Sequence, residues 1–153
     1  MFETHVDVLY LWIGLGTVSI AVLGVVVGLP TTVPPDATEV AATVDEVTTS
    51  PVGSVVHRRL VAEEWSFNGQ AIRLRNDAGT ATARLIQTVV PVRTDQLRAV
   101  LSGELPETVY DSPDAFRRDI RQNRNANATW RPAPNRLTVR HVAWGGTDVT
   151  LVG

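Results

Sequence analysis

Val8 to Leu29 reads VLYLWIGLGTVSIAVLGVVVGL, an apolar run without a charge, an amide or a proline, and Pro30 closes it. At about 1.5 Å per residue the run makes roughly 33 Å of helix, enough to cross a hydrocarbon core about 30 Å thick. The expectation is a transmembrane helix with the rest of the 153-residue chain carried from one end. Small residues recur along the run: Gly14, Thr17, Ala21, Gly24 and Gly28 are spaced 3, 4, 3, 4 and fall on one helical face. Gly24 and Gly28 also form GVVVG, the spacing at which two helix backbones approach closely in lipid. These five positions are the expected helix-packing residues, and the partner is the chain's own copy or another membrane subunit.

The flanks set the expected placement. MFETHVD precedes the run with Glu3 and Asp7 but no basic residue, and no Arg follows it before Arg58. A cleaved signal has a basic start and a small-x-small cutting site. GLPTTVPP offers prolines there instead, so the helix is expected to remain as an anchor. With no Arg or Lys beside the span, little holds the following segment in the cytoplasm. The reading is a single-pass cell-membrane protein, in contact with the bilayer, whose domain lies outside. Residues 1–30 form the anchor, residues 31–35 (TTVPP) a stiff linker and residues 36–153 the domain.

That domain is of ordinary single-domain size. It has no Cys, which excludes disulfides and thiolate metal sites. Its charge is unevenly spread. Asp36 to Glu64 holds six acids against Arg58 and Arg59, whereas Trp65 to the end holds twelve Arg against eight acids. Such a dipolar head favours head-to-tail contact with its own copies.

Local signals place its elements. Asp36 with Glu39 three residues on is a helix start, and Val40, Val44 and Val47 make the apolar stripe of a helix over 36–47. Ser54 to Ala62 reads as a strand. Asn68-Gly69 between Trp65/Phe67 and Ile72/Leu74 is a hairpin signal, and Asn76 to Gly79 is a second turn. Thr80 to Val92 reads as one long strand. Thr94 caps a short helix that Gly103 to Pro106 ends. Ser112-Pro113-Asp114 starts another, running to about Asn123. A closing hairpin turns at Gly145-Gly146. The expected class is α+β: an N-terminal transmembrane helix, then a small domain with an antiparallel sheet and two to three helices.

Chemistry is harder to find. His5, His57 and His141 are far apart and lack metal-ligand spacing, and His141 reads as a surface or half-buried position. No nucleophile elbow, phosphate-binding loop or dinucleotide fingerprint is present. The chain is therefore read as no enzyme, with no catalytic, cofactor-binding or metal residues and no cofactor. Arg117, Arg118, Arg121 and Arg124 line one helix as a candidate interaction face, with the acidic helix Asp36–Glu46 of a neighbouring copy as a complement. A domain outside the cell excludes nucleic acid as a partner. Asn127-Ala128-Thr129 is an N-x-T sequon, which makes Asn127 a candidate glycosylation acceptor.

VDVLYLWIGL at the start, LPTTVPPDA after the apolar run, LRNDAGTA in the strand-rich block, WRP at Trp130 to Pro132 and the closing LVG resemble a family of small haloarchaeal proteins with one N-terminal span. The resemblance implies a place beside the ATPase and platform of an archaeal type IV pilus-like secretion system, as a pilin-like or accessory subunit. MFETHVD lacks the basic residue of a prepilin cleavage site, which favours an unprocessed accessory subunit. The alternative is an envelope protein whose α+β domain binds a surface ligand or partner protein independently of a filament.

Overall fold

The computed structural model describes Val8, residues 10–20 and residues 32–153. The chain divides into two compact units, Met1–Val33 and Pro34–Gly153.

In the first unit residues 10–20 are helical, α1. Thr17 and Ser19 donate their hydroxyls back to the carbonyls of Ile13 and Leu15, the way a hydroxyl is satisfied on an apolar helix. Among the described residues no helix is long and apolar enough to cross a membrane. This corrects the transmembrane helix expected over Val8–Leu29, and with it the single-pass, cell-membrane placement with an outer domain. Of the expected packing face, Gly14 and Thr17 fall on α1, and a side chain at Gly14 would meet nothing within 4 Å. Ala21, Gly24 and Gly28 lie outside the described residues, as does His5.

The second unit opens with α2, Ala37–Thr49, whose first turn is capped by the Asp36 carboxylate accepting from the Glu39 amide at 2.9 Å. Strands follow as β1 (Val55–Arg59), β2 (Glu64–Phe67), β3 (Ala71–Asn76), β4 (Gly79–Arg84) and the short β5 (Val90–Pro91). Helices α3 (Asp95–Ser102), α4 (Pro106–Val109) and α5 (Pro113–Arg124) come next, then β6 (Arg131–Pro132), β7 (Arg136–Trp144) and β8 (Thr147–Val152).

The strands form two four-stranded sheets, ordered β1-β7-β8-β5 and β4-β3-β2-β6. Every pairing is antiparallel except β5 with β8, where Val90 lies opposite Leu151 and Pro91 opposite Val152. Alternation along β7 and β8 divides the core. Leu137, Val139 and Val152 pack with Val40, Val44 and Val47 of α2 and with Phe67, Ile72 and Leu74 of the other sheet. On the opposite face, Val142, Val149 and Leu151 pack with Leu97, Val100, Phe116 and Ile120 from α3 and α5. The β7–β8 sheet is thus covered on both sides, and β8 is buried from Val149 to Val152.

The sequence reading of one long strand over Thr80–Val92 is corrected. The strand stops at Arg84 and the chain crosses to the other sheet. Its backbone groups are taken over on the way: the Leu85 amide donates to the Gln70 carbonyl, that of Ile86 to the Asp45 carboxylate (3.0 Å), and that of Val89 to the Gly69 carbonyl. There are accordingly two sheets rather than one, and four helices in this unit rather than two to three.

Candidate functional site: the outer face of α5

The local sequence builds α5 firmly. Ser112 caps it, accepting from the Ala115 amide, Pro113 occupies the first turn, and Asp114 sits where the helix dipole favours an acid. Phe116, Ile120 and Asn123 face inward. Phe116 meets Tyr110 edge-on at 5.2 Å and Trp144 at 5.8 Å between ring centroids. A polar network ties the helix down. Asp119 accepts from the Thr94 hydroxyl (2.8 Å), the Tyr110 hydroxyl (2.6 Å) and the Asn123 amide (2.8 Å), and Asn123 in turn accepts from the Arg93 amide (3.0 Å). Burial, reinforced by the hydrogen bond to Asp119, pushes the Tyr110 hydroxyl above its ordinary value. It stays protonated and serves as a strut.

The outward face carries the four arginines expected from the sequence, all exposed. Arg117 pairs with Asp114 at 3.1 Å. Among the described residues no carboxylate lies within ion-pair distance of Arg118, Arg121 or Arg124. On the acidic helix read as their complement, Asp36 caps α2, Glu39 pairs with Arg58, and Asp45 accepts from the Ile86 amide. Glu46, the remaining acid of that helix, is exposed. Asn127 is exposed in the loop after α5, where its backbone carbonyl accepts from Arg93 at 2.9 Å.

His141 is a second correction. It is buried, 8 % exposed, with Nδ1 2.6 Å from the Ser50 carbonyl and Nε2 2.5 Å from the Asp148 carboxylate. Both ring nitrogens face oxygen acceptors, an arrangement that favours the protonated ring. Burial pulls its pKa down, but the hydrogen bonds to Asp148 and Ser50 and the carboxylate's charge outweigh that and raise it. Ser50 ends α2, so the cation also sits at the favourable end of the helix dipole. Nε2 already donates to Asp148 and is no general base. Among the described residues no group of three or more His, Cys, Asp or Glu is placed to hold a metal.

Sequence reasoning also missed Arg93, whose guanidinium donates to the carbonyls of Phe67, Ala126 and Asn127. It missed Trp130 too, lying under the guanidinium groups of Arg73 (5.0 Å) and Arg75 (4.6 Å). These partners are tens of residues apart and leave no local signal.

Structurally, the second unit is an α+β domain of two sheets and four helices with a cationic helix on its surface. From residue 3 to residue 142 the chain matches a family of unknown function, DUF7283, and it belongs to that family. No curated protein and no solved structure matches it. The family carries no assigned activity, and the match says nothing of a pilus or of haloarchaea.

Proposed function

We propose that the second unit is a non-catalytic docking domain that holds an acidic segment of a partner protein against α5. Of the two functions read from the sequence, this keeps the partner-binding domain and needs no filament. The observation that carries it is the exposed, unpaired row Arg118, Arg121 and Arg124 on a helix whose inner side is fixed by a buried network. Guanidinium groups on a helix whose backbone is already fixed bind carboxylates with only their side chains left to order. The titratable pairs that could suggest catalysis, Tyr110 with Asp119 and His141 with Asp148, are spent on internal hydrogen bonds.

The test uses a fluorescein-labelled poly-glutamate peptide and anisotropy at two salt concentrations. Binding should weaken as salt rises and fall about tenfold or more in R118E/R121E. The R59E variant, which alters an exposed arginine on β1, should bind as the unaltered chain does. Equal losses in both variants would mean that only overall charge matters, and the docking face would be abandoned.

A further inference from the structure

The tip of the β2–β3 hairpin and the loop after α5 enclose a polar trough that shares only Arg124 with the α5 face. Asn68, Gln70 and Thr88 line its middle. On one side a hollow of ≈ 400 Å³ runs along residues 125–128 to Arg124. On the other a second hollow of ≈ 400 Å³ runs past Gln87 to Arg84. Its walls are pinned from beneath: Arg93 ties the Asn127 (2.9 Å) and Ala126 (3.4 Å) carbonyls to that of Phe67 (3.2 Å). The hairpin tip is pinned too, because the Gly69 carbonyl accepts from the Val89 amide at 2.9 Å. The Asn68 side-chain oxygen is used within its own turn, accepting from the Gln70 and Ala71 amides, which leaves its NH₂ free for a ligand. Arg84 and Arg124 are exposed, and among the described residues neither pairs with a carboxylate.

We propose that this trough binds an acidic oligosaccharide, with Arg84 and Arg124 taking its anionic groups and Asn68, Gln70 and Thr88 taking the sugar hydroxyls between them. A side-chain amide presents donor and acceptor side by side, as neighbouring sugar hydroxyls require. A guanidinium fork matches a carboxylate or a sulfate. Single-stranded nucleic acid needs aromatic platforms for its bases, and no aromatic residue lines the trough. A docked peptide draws on apolar pockets or a strand edge; here Leu85 and Ile86 are apolar at one end, and the middle of the trough is amide and hydroxyl.

The full chain is titrated with a heparin-derived hexasaccharide, an unsulfated polyuronate hexamer, neutral chitohexaose and hexaglutamate, following side-chain amide NMR signals and calorimetry. At least one anionic sugar should shift Asn68, Gln70 and Asn127 saturably, and the two anionic arms show whether sulfate or carboxylate is preferred. Chitohexaose should leave these signals unmoved. R84A/R124A should lose about tenfold or more in affinity, and Q70A/T88V severalfold, with circular dichroism unchanged. R118E/R121E should bind the sugar normally, which separates this site from the α5 face. Hexaglutamate binding the trough as tightly as the sugars would reassign it to a peptide and overturn the proposal. Shifts confined to Arg118 and Arg121, or no saturation by either anionic sugar, would overturn it as well.

Discussion

Two glycines with the same backbone sign show what a single residue contributes. Gly69 and Gly146 have φ of +85° and +75°, a region that side chains rarely enter. A Cβ on Gly69 would collide with the Val89 carbonyl oxygen, whereas one on Gly146 meets nothing within 4 Å. Gly146→Ala should therefore cost about 1 kcal/mol of backbone strain, and Gly69→Ala about 2–4 kcal/mol from strain and collision together. Urea midpoints of the two variants check this, and equal losses would show that the hairpin tip yields freely. His141 makes a prediction in pH. Its folded pKa is raised, so the folded state holds its proton more tightly than the unfolded chain, whose value is about 6.5. The resulting stabilisation is complete below about pH 6.5 and is lost as pH rises through the folded value. Melting temperature should fall over that window in the unaltered chain. In Asp148→Asn the pH slope should shrink, because the imidazolium loses its counter-charge.

At the scale of elements, α5 depends on Asp119, which satisfies donors from Thr94, Tyr110 and Asn123 at once. Asp119→Ala leaves the Thr94 and Tyr110 hydroxyls without this acceptor, while Asn123 keeps the Asp119 backbone carbonyl, and should cost about 2–4 kcal/mol in urea melts. Tyr110→Phe removes one donor from a carboxylate that keeps two and should cost about 1 kcal/mol. The double variant should lose less than the sum of the single losses, because the two residues share one network. This scale also divides what was legible in the sequence from what was not. The caps Asp36, Thr94 and Ser112, the Asn68 turn and the Gly145-Gly146 hairpin are written within three or four residues, and all lie where the sequence placed them. The arginines of α5 were equally legible, since helical spacing alone gathers them on one face. Partners across the fold were not. Nothing between Arg84 and Val90 announces that the chain changes sheets, because the groups that absorb the break come from Asp45, Gly69 and Gln70. His141 read as near-surface because its partners, Ser50 and Asp148, lie on a helix end and a neighbouring strand. The trough escaped notice for the same reason: its walls are held by one arginine bonding to segments 26 to 34 residues away.

For the whole molecule, two forces compete to bring copies together, and they respond oppositely to salt. The sequence suggests charge, with acids gathered before Trp65 and arginines after it. Within the folded unit three of those acids also bond internally, Glu39 to Arg58 and Asp36 and Asp45 to backbone amides. The apolar surface is not consumed in this way. On α1, Tyr10, Leu11, Trp12, Ile13, Leu15, Val18 and Ile20 are each more than half exposed, Ile20 at 73 %. A contiguous apolar surface of that kind drives association in water. Apolar association persists or tightens at high salt, whereas head-to-tail charge pairing fades once the Debye length falls to about 3 Å near 1 M. Sedimentation velocity of the full chain should therefore show association at low salt that survives about 1 M sodium chloride. Replacing Leu11, Trp12 and Leu15 with serine should release a monomer at both salt concentrations. Association that dissolves with salt and ignores those three substitutions would return the assembly to its charges, with α2 and α5 as the surfaces to test first.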